Sequence, residues 1–211
     1  FVLSKNSLIF RFCKKKYASL FGLDQKSGVE IEEMDPHVSD TDAVRSSIGQ
    51  GTNNYAPVQL ARYVTTIANE GNCYDLTLVN EIKNIDGRTV YKSDNVPKNT
   101  VDLTDSQWAV IKQGMRQMVS EHTSPSALIN QINVNVAGKT GTAEEDTTRP
   151  DHALFVSFAP YENPEVSVTC VIPHGYTSGN AEELAGMVYA YMYDPDKLDT
   201  LDITGNNQMS D

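Results

Sequence analysis

Asn135 to Glu144, Ala153 to Ala159 and Val166 to Ile172 are three runs rich in β-branched, aromatic and small residues, joined by links of eight and six residues. A parallel crossover needs a dozen or more residues, usually a helix. The three runs can therefore pair only as antiparallel neighbours, the first with the second and the second with the third.

Helical patterns surround them. Residues 14–21 predict a short helix stopped by Gly22, and residues 40–47 another, with Ser39 or Asp40 as N-cap, broken by Gly49-Gln50-Gly51. From Pro57 to Asn69 the apolar face is Leu60, Ala61, Val64, Ile67 and Ala68, with Pro57 at the first helical position and Gly71 as the stop. Thr104 and Gln107 have capping-box spacing before a helix at 105–121, whose buried stripe is Trp108, Ile111, Met115, Met118 and Val119. Between these helices, Leu78 to Ile85 and Arg88 to Lys92 flank Asp86-Gly87, which predicts a hairpin with a type I′ turn. A closing helix at 181–193 takes Asn180 as N-cap and Glu183 as its capping-box partner, and turns Leu184, Met187, Val188, Tyr191 and Met192 inward. Helices, then strands, then a closing helix predict an α+β layer fold, not alternating βαβ units.

With 211 residues, 39% of them hydrophobic, the chain can build one domain with a real core, and no apolar run approaches a membrane span. The net charge of −11 offers no basic stripe for phosphates, which excludes nucleic acid as a partner. Lys5, Arg11, Lys14, Lys15 and Lys16 all fall in residues 1–23, which hold no acid. This break sets residues 1–13 apart as an anomalous basic segment, and with a start at Phe1 it reads as a piece of something longer. Residues 194–211, with five Asp and one Lys, read as an acidic flexible tail. Cys13, Cys73 and Cys170 are odd in number and lack C-x-x-C spacing, so they read as reduced or buried thiols rather than a disulfide framework or a zinc site.

The chemistry concentrates in Lys139-Thr140-Gly141-Thr142, on the first predicted strand. Residues two apart on a strand face the same way, so Thr140 and Thr142 present two hydroxyls suited to a carboxylate. Gly141 lets a substrate backbone lie close, and Lys139 adds a fixed positive charge. The same residues also suit an ordinary strand with a solvated lysine. His152 opens a strand and His174 closes one, and both read as surface residues. Glu144 and Glu145 point apart on a strand, which disfavours an acid–base pair. Gly49-Gln50-Gly51 lacks a G-x-x-x-x-G-K-[ST] frame and reads as a tight turn, not a phosphate loop.

FGLDQKSGVEIEE (21–33), SSIGQGTNNYAPVQLARYVTTIANEG (46–71), VAGKTGTAEE (136–145), HALFVSFAPYENPEVSVTCVI (152–172) and the closing helix occur in that order. Over most of residues 17–193 the chain resembles the transpeptidase domain of class B penicillin-binding proteins. The resemblance implies a mostly antiparallel sheet flanked by helices, as in penicillin-binding proteins and serine β-lactamases, with residues 14–193 as the C-terminal portion of an incomplete domain. It also implies a peptidoglycan D,D-transpeptidase. In that family the Ser of S-x-x-K attacks a D-alanyl-D-alanine peptide, and an amine of a second stem peptide resolves the acyl-enzyme. β-Lactams acylate the same Ser, and an S-x-N motif helps relay protons. By position, Lys139 would be the catalytic electrostatic partner of the S-x-N serine. Thr140, Gly141 and Thr142 would bind substrate, the two hydroxyls taking its carboxylate, and the Thr142 N–H would form half of the oxyanion hole. The implied partners are peptidoglycan stem peptides, β-lactam antibiotics and other cell-wall synthesis proteins. The implied place is the extracytoplasmic face of the bacterial cell membrane, reached through an anchor in a full-length parent. No cofactor and no metal is implied.

The sequence departs from that family in specific ways. It contains no S-x-x-K, and its only T-x-x-K, Thr89 to Lys92, falls in a hairpin arm. The family's nucleophile precedes the FGLD stretch, so it is expected before Phe1, leaving this chain inactive alone and helix faces such as Val64/Ile67 and Trp108/Met115 partly uncovered. S-x-N occurs as Ser4-Lys5-Asn6, on the correct side of the K-T-G-T strand but close to FGLD, as Ser93-Asp94-Asn95 after the hairpin, and as Ser178-Gly179-Asn180, which also suits an N-cap. Ala56 stands where the family has a capping Thr, which predicts a weaker helix start. Two further readings compete: a β-lactamase or D,D-carboxypeptidase on the same fold, and a non-catalytic penicillin-binding-like sensor or pseudoenzyme.

Overall fold

A computed structural model describes residues 13–40, 43–124, 126–145 and 147–198. Most of the basic segment, with Ser4-Lys5-Asn6, and residues 199–211 of the acidic tail lie outside the described residues.

Three short-range devices end the first three helices. Helix α1 (13–20) closes with Gly22 N–H on Ser19 O and Leu23 N–H on Ala18 O, a Schellman end with Gly22 left-handed at φ 74°. Helix α2 (Ala43–Ser47) ends the same way: Gly49, at φ 86°, bonds Ser46 O, and Gln50 N–H reaches Arg45 O. In α3 (Pro57–Ala68) two successive residues take positive φ at the end, Glu70 at 53° and Gly71 at 100°. Gly71 is needed twice over, for that φ and because a Cβ there would stand 2.5 Å from Val101 O and 2.8 Å from the Trp108 ring. The start of α3 is firmer than Ala56 suggested. Gln59 Oε1 accepts from the Ala56 N–H at 2.9 Å, so half of a capping box survives without a side-chain acceptor at the cap.

Arg62 of α3 is fully buried. It donates to the carbonyls of Gly22 and Gln25 and, at 3.2 Å, to Asp75. One side chain thus ties the FGLD loop onto the helix. Asn72–Cys73 (β1) pairs antiparallel with Asn99–Thr100 (β4). Glu81–Lys83 (β2) and Thr89–Lys92 (β3) form the expected hairpin, exposed on both faces. Its turn differs from the expectation. Gly87 N–H bonds Asn84 O at 3.0 Å with positive φ at Gly87 and not at Asp86, which excludes type I′. Asn84 Oδ1 accepts from the N–H groups of Asp86 and Arg88, stabilising a longer turn with glycine at the left-handed position.

The centre is a three-stranded sheet, Ala137–Ala143 (β5), His152–Ala159 (β6) and Val166–Ile172 (β7), antiparallel in the order β5-β6-β7. This is the pairing the short links dictate, with Thr140 opposite Phe155 and Phe155 opposite Cys170. The middle strand is covered on both faces. Ala153, Phe155 and Ala159 pack with Ala181, Ala185 and Tyr189 of α5 (Ser178–Tyr193), and Phe158 packs with Val64 and Ile67 of α3. Helix α4 (Asp105–His122) lies along β5, giving Met115 to the α3 cluster and Val119 to the α5 cluster. Its Thr104–Gln107 capping box forms as predicted. Of its predicted stripe, Trp108, Met115 and Val119 are buried, while Ile111 is exposed. Val64, Ile67, Trp108 and Met115 are all buried within the chain itself, against the expectation that those faces would be uncovered.

Helix α5 departs most from its sequence reading. It begins at Ser178 with Thr177 as N-cap, while the Asn180 side chain donates to Gly175 O at 2.8 Å. Its buried face is Ala181, Glu182, Ala185, Gly186, Tyr189 and Ala190, and Leu184, Val188, Tyr191 and Met192 are exposed. Close approach decides this. A Cβ on Gly186 would stand 3.2 Å from the backbone of Ile129, in the 3-10 turn Leu128–Asn130, so only small side chains let the helix seat. The chain then makes one more turn, α6 (Pro195–Leu198), within the stretch read as tail, and buried Asp194 accepts from Asn133 N–H at 3.2 Å.

Candidate active site

Among the described residues β5 is paired on one side only, by β6. In an antiparallel pair, successive residues turn both N–H and C=O toward the partner or both away from it. The Thr140 carbonyl accepts from Lys139 Nζ at 2.8 Å, and the Thr142 carbonyl from Gln50 Nε2 at 3.2 Å. Both carbonyls therefore look out from the open edge, and the Thr142 N–H shares it. Thr140 and Thr142 stand opposite Phe155 and Ala153 and so share a face, as their spacing predicts. Lys139 and Gly141, opposite Val156 and Leu154, share the other. Lys139 and Thr142 are exposed, and Thr140 is half-buried with its Oγ1 4.0 Å from Met118 Sδ.

Two glycines on this strand answer to different needs. A Cβ on Gly138 would stand 2.5 Å from the Phe155 ring, so the fold itself requires glycine there. On Gly141 the nearest atom would be Leu154 Cβ at 3.4 Å, an ordinary contact, and its φ is not left-handed. Nothing in the fold demands glycine at 141.

Gln50 is a contributor the sequence reading missed, because 92 residues separate it from Thr142. Its turn is held by a bracket of polar contacts. Asn53 Nδ2 donates to Gln50 O at 3.1 Å, while Asn53 Oδ1 accepts from Ser39 N–H at 2.9 Å and from Tyr55 OH at 3.0 Å. Burial, with a smaller push from Asp24, raises Tyr55 to about 12, so its hydroxyl stays a donor at physiological pH. The only signal in the sequence was a glutamine set between two glycines, Gly49 and Gly51, both left-handed in the fold.

The remaining candidates stand apart from this edge. Ser93, in Ser93-Asp94-Asn95, gives its N–H to Asn80 O at the foot of the exposed hairpin. Thr89 and Lys92 are three apart on β3, so their side chains face opposite ways and cannot act as nucleophile and base. The His152 and His174 rings lie with centroids 4.8 Å apart and planes tilted by 36°, beside Glu145, and the three could surround a metal ion. Their hydrogen bonds oppose it. His152 Nδ1 accepts from His174 N–H at 3.1 Å, so the neutral ring carries its proton on Nε2, 3.2 Å from Glu145 Oε2. That nitrogen has no lone pair for a metal. A cavity of about 600 Å³ lies away from the β5 edge, between the end of α4 and the start of α5, and includes Glu182. Burial raises the Glu182 pKa, against a 2.5 Å hydrogen bond from Thr123.

Comparison with known proteins places this geometry in context. The family described as "Penicillin binding protein transpeptidase domain" matches residues 14–191. Penicillin-binding protein 2B of Streptococcus pneumoniae is 31% identical over 170 residues, covering 73% of this chain and 25% of that protein. Its solved structure from strain R6 superposes with a TM-score of 0.72 at 28% identity, over 85% of this chain and 32% of that one. An imipenem acyl-enzyme complex of penicillin-binding protein A from Mycobacterium tuberculosis also gives 0.72, at 26% identity, over 83% of this chain and 40% of that one. The chain spans about a quarter of the length of the Streptococcus pneumoniae relative.

Proposed function

Because the chain belongs to the penicillin-binding protein transpeptidase family, we propose that it supplies the K-T-G-T wall of a peptidoglycan D,D-transpeptidase that cross-links stem peptides through a serine acyl-enzyme. The observation that carries this is the open β5 edge, where a lysine, two threonine hydroxyls on one face and an outward N–H meet.

The roles follow from that edge. Thr140 and Thr142 grip the terminal carboxylate of a D-alanyl-D-alanine peptide or a β-lactam. The Thr142 N–H points where a tetrahedral oxyanion would form, and a fixed dipole there lowers the barrier because it needs no reorganisation. The Lys139 ammonium, now resting on its neighbour's carbonyl, swings to a polar partner across the cleft. Gly141 keeps the edge clear for the substrate backbone. The serine nucleophile of an S-x-x-K is not among these 211 residues. The partners are stem peptides, β-lactams and other cell-wall synthesis proteins, and the place of action is outside the bacterial cytoplasmic membrane. No helix among the described residues is long and apolar enough to cross a membrane.

A fluorescent penicillin tests the reading on this chain. It should bind reversibly in titrations and leave no covalent label on a denaturing gel, since no Ser here has a Lys one helical turn beyond it. Lys139→Ala should weaken the reversible binding and Lys92→Ala should not. A stable, hydroxylamine-sensitive adduct would place the nucleophile within the chain and overturn the assignment.

A further inference from the structure

The Gly49-Gln50-Gly51 turn has a feature that its role as a helix stop does not explain. Gly49 ends α2, and with Gly51 left-handed at φ 88° the backbone turns on either side of Gln50. Asn53 fixes the Gln50 backbone from one side, and the side chain crosses to the outward carbonyl of Thr142. An outward strand carbonyl is the natural acceptor for an extended ligand that adds itself to the sheet edge. It is also an invitation to unwanted strand pairing, which proteins block by covering or bulging such edges.

We propose that Gln50 is a gate on the β5 edge. Its carboxamide N–H occupies the Thr142 carbonyl as a stand-in for the amide N–H of an extended peptide or of a β-lactam's acylamino group, and such a ligand must displace it to bind in full register. The proposal rests on the reading of β5 as the substrate-binding wall. The ligand's N–H exchanges one amide–carbonyl hydrogen bond for another, so the gate costs a matched ligand part of its affinity. A ligand that reaches only the threonine hydroxyls leaves the gate shut and gains nothing from its removal. Asn53 acts through Gln50 and is a positioning residue.

The test is titration of the 211-residue chain, followed by backbone amide NMR, with penicillin G, which carries an acylamino N–H, and with sulbactam, which lacks one. Gln50→Ala should tighten penicillin G roughly two- to tenfold and leave sulbactam unchanged. Gln50→Met, similar in size but without a donor, should do the same, which separates loss of the hydrogen bond from loss of packing. Asn53→Ala should shift penicillin G in the same direction by less. Penicillin G binding that is unchanged or weaker in both Gln50 variants overturns the gate and leaves the transpeptidase reading standing, as does an equal change for both ligands. If neither ligand binds any variant that keeps a dispersed spectrum, the wall assignment and the gate fall together.

Discussion

The two ends of strand β5 are built from similar residues and serve opposite ends. Ala137 and Gly138 are sealed: Ala137 packs with Val64 and Phe158, and the Phe155 ring lies over Gly138. Further along, the carbonyls of Thr140 and Thr142 face an open edge, where side chains bond them. The same pleat, register and partner strand run through both. What differs is the neighbour: α4 and the sheet faces close over the first end, and a two-glycine turn merely brushes the second. Glycine is structural at 138 and permissive at 141, and only the packing tells them apart.

The largest effect should come from Gly138→Ala. The added methyl must move the Phe155 ring, an overpacking cost of about 1–3 kcal/mol, read as a lower melting temperature. If stability is unchanged, the Phe155 ring has room to move and the sealed end is not closely packed. Next comes the open end. Thr140→Val with Thr142→Val removes two hydroxyls and should weaken reversible penicillin binding roughly tenfold, while chemical denaturation shows little change. A double variant that unfolds instead would make these threonines part of the core and erase the contrast.

The cavity wall between α4 and α5 carries a pH signature as well. Burial holds Glu182 above its ordinary pKa, so the folded chain takes up its proton more readily than the unfolded chain. The penalty for ionising it is absent below the unfolded pKa and sets in as pH rises through the folded one. Glu182→Gln should therefore stabilise the chain more at pH 7 than at pH 4 in parallel denaturant titrations. The smallest effect is the sharpest discriminator. Gly141→Ala should change stability by less than about 0.5 kcal/mol, yet should reduce penicillin binding by crowding the edge.

Much of this is legible in the amino-acid sequence alone. Short links forced the antiparallel order, and the period of two placed Thr140 and Thr142 on one face. Trp108, Met115 and Val119 were readable because hydrophobicity and burial agree there. The face of α5 was not, because Ala185 and Gly186 are buried for their smallness and Leu184 is left out for its bulk. Hydrophobic periodicity ranks those residues the wrong way round. The hairpin turn was misread because Asp86-Gly87 suits more than one turn, and Asn84, just upstream, chose between them. Gln50 escaped because no periodicity links a helix end to a strand edge so far along the chain.

Arg62 has a consequence for the order in which this chain assembles. Its bonds to Gly22 and Gln25 bridge 40 and 37 residues of sequence. Such closures lose loop entropy before they return anything, whereas α3 forms from neighbours three and four apart. The helix is then the template and the FGLD loop the late arrival, docking once a guanidinium already stands in place to receive its carbonyls. The same hierarchy runs in reverse when the native chain breathes. Amide exchange should then reach the FGLD loop before α3 and the central sheet.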